Sequence, residues 1–259
     1  MATLTTSDDR TLQWVESGSG APILLIHGFA ANLDRNWRGT GWFDALVRSR
    51  WRVIAFDQRG HGQSEKLYEP AQYAPERLAR DVVEVLDAAA VGDAVLMGYS
   101  MGARVALDVA MWSAERCRAL VLGGMGRNFF PDLGGPDRDY EIIAATLEAD
   151  DASGFPPLAQ SYRVFAQQTG GDLKALAACW RRPRRSASRA ELALLRAPTL
   201  VVVGDRDEIA GDGQVLADAI PGAELVILRG KDHLKAVGAK EHRSAVLAFL
   251  DRIRDGGGS

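Results

Sequence analysis

The chain has 259 residues, 47% hydrophobic and 25% charged, a composition that suits one large globular core and excludes a disordered or fibrous chain. Thirty-one basic residues against 34 acidic ones leave a formal charge of −3, so no broad field favours nucleic acid or an anionic membrane. No apolar run is long enough to span a bilayer, and residues 1–9 carry neither a basic nor an apolar leader segment, so a cytoplasmic protein is expected.

Residues 11–17 alternate between apolar and polar and predict an edge strand. Residues 23–26 and 53–56 are unbroken apolar runs, the pattern of strands covered on both faces of a parallel sheet. Residues 76–90 place Leu78, Val82, Val85, Leu86 and Ala89 at helical spacing. A strand at 95–97 leads through a Gly98–Gly102 turn into a helix over 101–114, and another strand follows at 119–122. The alternation then breaks. Residues 126–196 contain no strand-like run, but predict helices at 137–148, 157–168, 172–180 and 188–195 between Gly and Pro punctuators. Strands resume at 200–203 and 225–228, with helices at 214–219 and 240–253.

Alternating strands and helices imply an α/β fold with a doubly wound, mostly parallel sheet flanked by helices. The stretch without strands is too long for an ordinary crossover, so a helical cap insertion is expected over 126–196. Residues 1–125 and 197–255 would form the core domain and 256–259 a flexible tail. Cys117 and Cys179 are too few for a disulfide framework and are read as reduced thiols, Cys117 in the core.

The strongest chemical signal is Gly98-Tyr99-Ser100-Met101-Gly102, set between a strand and a helix as a nucleophile elbow requires. A serine hydroxyl needs a base within reach. Of the four histidines, His233 alone falls in a loop after a late strand, on the same sheet edge as Ser100. His242, between Glu241 and Arg243 in a helical stretch, reads as a solvated surface residue. The third member should be a carboxylate on that edge, in the loop Gly204-Asp205-Arg206-Asp207-Glu208. Asp205, Asp207 and Glu208 all qualify by position, with Asp205 suited to capping its own turn. Asp232 adjoins His233, and chain neighbours rarely point at each other. Oxyanion donors are expected from the Met101 N–H and from the loop His27-Gly28-Phe29-Ala30.

With these motifs, and with Asp57-Gln58-Arg59-Gly60-His61-Gly62-Gln63-Ser64, the chain resembles the α/β-hydrolase superfamily over residues 13–253. The resemblance is closest to its bacterial esterase, enol-lactonase and C–C-hydrolase branch. It implies Ser100 as nucleophile, His233 as base, Asp207 as acid, and the Phe29 and Met101 N–H groups as the oxyanion hole. It makes Asp57, Arg59 and the glycines after them a structural loop beside the site. Two positions depart from the family pattern: no proline follows Asp207 closely, and Asp232 stands where a small residue is common.

The expected activity is hydrolysis of carboxylic esters with small or medium apolar acyl groups, through an acyl-enzyme. Lactone or enol-lactone opening, C–C hydrolysis and perhydrolysis are alternatives on the same triad. A small-molecule receptor with little turnover is the alternative outside enzymology. Met125, Phe129, Phe130, Leu133, Phe155 and Tyr162 are expected to line an apolar substrate pocket. No cofactor, metal, nucleic-acid or membrane partner is expected. The run Arg181-Arg182-Pro183-Arg184-Arg185 reads as a solvated or salt-bridged patch.

Overall fold

The computed structural model describes residues 1–136 and 140–256. Strands β1 (Ala2–Thr5) and β2 (Thr11–Ser17) precede β3 (Ala21–Ile26), α1 (Trp42–Arg48), β4 (Trp51–Phe56) and α2 (Pro75–Ala88). Next come β5 (Ala94–Tyr99), α3 (Met101–Trp112) and β6 (Cys117–Gly123). Four helices follow: α4 (Tyr140–Glu148), α5 (Pro157–Gln168), α6 (Leu173–Trp180) and α7 (Arg189–Leu192). The chain closes with β7 (Thr199–Gly204), α8 (Gly213–Ala217), β8 (Glu224–Leu228), α9 (His233–Val237) and α10 (Lys240–Gly256).

The eight strands form one sheet in the order β1-β2-β4-β3-β5-β6-β7-β8. The last six in that order are parallel, while β1 and β2 are antiparallel to their neighbours. β2 is therefore not the edge strand that its alternation suggests, since β1 pairs outside it from Ala2↔Trp14 to Thr5↔Thr11. A half-exposed alternating pattern marks the margin of a sheet but does not count the strands there.

The unbroken apolar runs serve two faces at once, because successive strand residues point to opposite sides. Leu24, Ile26 and Leu96 join α2 and α3 in one buried cluster. Ile23, Leu25, Val95 and Met97 join α1 and α10 in the other. His242 belongs to this second face and is fully buried, contrary to the surface position expected for it. It precedes Val246, Phe249 and Leu250 at helical spacing, so it turns inward while its charged neighbours turn out. Its ring packs edge-on against Trp42 at 5.0 Å.

Between β6 and β7 the chain is helical, as expected. Residues 137–139, the expected start of the first of these helices, lie outside the described residues. Asp172 caps α6 by accepting from the Ala175 N–H at 3.0 Å, and Ser188 with Glu191 forms a capping box on α7. α7 is a single turn, shorter than the 188–195 expected. Buried residues of α4 and α6, among them Ile143, Leu147 and Leu176, share the cluster of α2 and α3. Of the expected tail, Gly256 ends α10 and residues 257–259 lie outside the described residues. No helix among the described residues is long and apolar enough to cross a membrane.

The chain passes from β3 outward to β4 and returns to β5 on the other side of β3. That reversal opens a crevice at the carboxyl ends of β3 and β5, where ligands bind in open parallel sheets.

Candidate active site

Ser100 stands between β5 and α3 with φ 55° and ψ −115°, a left-handed conformation that a non-glycine residue adopts at a cost. The turn can be this tight because its flanks have no side chains. A Cβ on Gly98 would lie 2.2 Å from the Gly102 carbonyl oxygen, and one on Gly102 would lie 2.0 Å from that of Ile26. The Ser100 N–H donates to the Gly123 carbonyl at 2.8 Å, which pins the turn to the end of β6. Tyr99 is buried, and its hydroxyl donates to the His233 carbonyl at 2.5 Å.

His233 opens α9, with its Nδ1 2.8 and 2.9 Å from the two carboxylate oxygens of Asp207. With Nδ1–H donating there, Nε2 is left to act as an acceptor. Asp207 is buried in the turn after β7, and its Oδ1 also accepts from the Ala210 N–H at 2.8 Å. Two other carboxylates of this edge are occupied elsewhere. Asp205 accepts from the Gly230 N–H at 2.6 Å, so it ties two loops together instead of capping its own turn. Asp232 caps α9 through the Lys235 N–H at 2.9 Å and pairs with the Lys235 ammonium at 2.6 Å. That capping role accounts for an acidic residue just before His233.

The N–H groups of Phe29 and Met101, expected as oxyanion donors, have no acceptor among the described residues. The loop that carries Phe29 is braced from two sides. His27 Nδ1–H donates to the Gly28 carbonyl at 2.8 Å, while its Nε2 accepts from the Gln58 N–H at 3.0 Å. Burial pulls His27 down, and His61 beside it well below the ordinary histidine range, so both rings are neutral. Asp57 holds the same region by accepting from Leu33 and Gln63 N–H groups at 2.8 and 2.7 Å. On the other side, Asn36 accepts from the Gly28 N–H at 3.0 Å. Asn36 lies in a π-helical turn, Asp34–Arg38, a rare element often found at functional sites. The sequence offered no periodic signal for it.

A cavity of about 640 Å³ opens above this edge and is lined by Ser100, Met101, Phe29 and His233. His233 is the one histidine that reaches it among the described residues. Of the expected pocket residues, Phe129 and Tyr162 line the cavity. Met125, Phe130 and Leu133 are buried in the core, and Phe155 packs against it, so these four are not part of the wall. The wall includes Phe165 and Trp180 instead. The basic run also departs from expectation. Arg181 pairs outward with Glu141 at 2.6 Å and Glu148 at 2.8 Å, but Arg182, Arg184 and Arg185 line the cavity. Past the end of α6 the chain turns, and Arg181 and Arg182 face different ways.

Residues 21–147 match the family model of the alpha/beta hydrolase fold. The chain is 33% identical over 228 residues to a 2-hydroxymuconate semialdehyde hydrolase of Pseudomonas sp. (strain CF600), covering 81% of this chain and 79% of that protein. It is 31% identical over 259 residues to the dihydrolipoyllysine-residue acetyltransferase component of the acetoin cleaving system of Pseudomonas putida, covering 93% and 67%. Among solved structures, a hydrolase from Pseudomonas aeruginosa PA01 superposes with a TM-score of 0.79 at 29% identity, covering 96% of this chain and 97% of that one.

Proposed function

Because this chain belongs to the α/β-hydrolase fold family, we propose that it is a serine hydrolase cleaving carboxylic esters of small or medium apolar acyl groups. The observation that carries this reading is one cavity lined by both Ser100, on a left-handed turn, and His233, whose Nδ1 is bonded to Asp207 at 2.8 Å. His233 Nε2 takes the hydroxyl proton as Ser100 Oγ attacks the ester carbonyl. Asp207 holds the imidazole tautomer and stabilises the imidazolium that forms. The Phe29 and Met101 N–H groups stabilise the oxyanion, the latter from the N-terminus of α3. The imidazolium then protonates the leaving alcohol, and a water activated by His233 releases the acyl group. No step calls on a cofactor. Residues 126–196 act as a cap over the core, with α5 and α6 supplying Tyr162, Phe165 and Trp180 to the apolar wall.

Hydrolysis of a C–C bond beside a carbonyl is a second reading, favoured by the similarity to the semialdehyde hydrolase. A panel of esters, lactones and diketones, run with wild type and Ser100→Ala, separates the two. We expect ester turnover, stoichiometric labelling of the wild type by a fluorophosphonate, and loss of both in the variant. A variant that still labels and turns over would remove Ser100 from the mechanism.

A further inference from the structure

We propose that the ester this cavity accepts carries a carboxylate beyond its scissile bond, and that Arg182 binds it. The inference rests on the ester-hydrolase reading and narrows its substrate class: the acyl group is apolar along its length and ends in an anion. Among the described residues the cavity's charged lining is one-sided: Arg35, Arg104, Arg182, Arg184 and Arg185 against Asp108. The chain as a whole is acidic at −3, so this is a local concentration of positive charge.

Most of these cations are already engaged. Arg104 pairs with Asp108 at 2.9 Å, which neutralises that acid, and donates to the Arg185 carbonyl at 2.6 Å. Arg185 pairs with Glu191. Arg184 lies 3.7 Å over the Tyr140 ring and donates to the Trp180 carbonyl at 2.5 Å. Arg35 is exposed.

Arg182 is different. It is half-buried, and Nη1 makes the contacts of its guanidinium, to the Cys179 carbonyl at 2.7 Å and Sγ at 3.8 Å. Its Nε and Nη2 have no acceptor among the described residues. Asp108, already paired with Arg104, is an acid whose field reaches Arg182, and a partly desolvated charge gains further from a direct opposite partner. Here the open donors form a planar fork that matches a carboxylate. Cys179 Sγ lies in turn 3.9 Å from the sulfur of Met101, the residue after Ser100. Through Cys179 the guanidinium therefore lies near the side chain of Met101, the neighbour of the attacking serine, and Arg182 and Ser100 line the same cavity. Phe29, Phe129 and Tyr162 would cover the apolar part of the acyl chain.

The test compares mono-4-nitrophenyl adipate, which ends in a carboxylate, with its terminal carboxamide analogue. Wild type should favour the acid in kcat/KM, and that preference should shrink as salt is raised. Arg182→Gln should lower the acid-to-amide ratio at least tenfold, and Arg182→Lys should restore part of it. Arg182→Met keeps the apolar stem and checks that a lost ratio is not lost packing. In parallel, adipate is titrated calorimetrically into Ser100→Ala with and without Arg182→Gln. Binding in the first protein and loss in the second supports the site independently of turnover. If both esters are cleaved and the ratio is the same in Arg182→Gln, the ester reading stands and this proposal is overturned. If neither ester is cleaved but adipate binds through Arg182, the ester reading fails and the anion site stands. If neither is cleaved and adipate does not bind, both fail.

Discussion

Two aspartates separated by one residue divide the roles at the end of β7. Asp207 meets the His233 Nδ1 with both oxygens, while Asp205 reaches across to the Gly230 N–H. An amide at 207 would offer a donor where the imidazole also donates and would favour the wrong tautomer. Asp207→Asn should therefore lower turnover by about 10²–10⁴ with little change in melting temperature. Asp205→Asn should keep most of the turnover and cost on the order of 1 kcal/mol of stability, because it weakens a charge-assisted bond between loops. Turnover and thermal unfolding of both variants decide the matter. An inactive but stable Asp205→Asn would move the acid by two positions. The sequence had narrowed the acid to one loop, and family resemblance pointed to Asp207. It had no means of showing that Asp205 is committed to Gly230, since that partner depends on how β7 and β8 lie side by side, whereas the Asp232–Lys235 contact is local to the start of α9.

At the scale of elements, the strand–turn–helix from β5 to α3 is the part most legible in the linear chain. Two glycines around a serine, after an apolar run and before a helix, describe a turn that only small flanks allow. The structure adds the reason at Gly102: the strand β3 passes so close that a Cβ would meet the Ile26 carbonyl oxygen at 2.0 Å. Gly102→Ala should cost about 1–3 kcal/mol or more, since backbone on both sides must move. Gly92 is the control, with nothing within 4 Å of an added Cβ. Gly92→Ala should be neutral or stabilising by about 0.4–1 kcal/mol. Urea unfolding measures both, and equal costs at the two positions would mean that the close approach at Gly102 is not the constraint. Less legible was the π-helical turn that brings Asn36 to Gly28, because its partner lies eight residues back in an irregular loop.

Across the whole molecule, three buried histidines shape the response to acid. Burial holds His242 at about 4, and it also lowers His27 and His61. An unfolded histidine titrates near ~6.5, so between that value and about 4 the unfolded chain takes up protons that the folded protein refuses at His242. Stability is thus fully present above the unfolded value and is lost as pH falls through this window. Asp81 and Asp108, raised by burial, act in the opposite sense. His242→Gln removes one of the three refusing groups. The loss of stability from pH 7 to pH 4 should then shrink by about 3 kcal/mol relative to wild type. Denaturant titrations at the two pH values test this, and an unchanged loss would show that His242 is accessible to protons in the folded state.

What the sequence determined by itself was whatever depends on neighbours along the chain. That includes the alternation of strands and helices, the family, the tight turn at Ser100, and the helical stretch between β6 and β7. Those features are local because periodicity, turn chemistry and apolar runs are written in consecutive residues. The tertiary structure alone decided which way individual side chains face. It sent His242 inward, moved Phe130 and Met125 from the pocket to the core, and turned Arg182 into the cavity while Arg181 turned away. Each of these depends on the angle at which one element crosses another distant in sequence, and a rotation of one residue position along a helix or turn exchanges solvent for cavity.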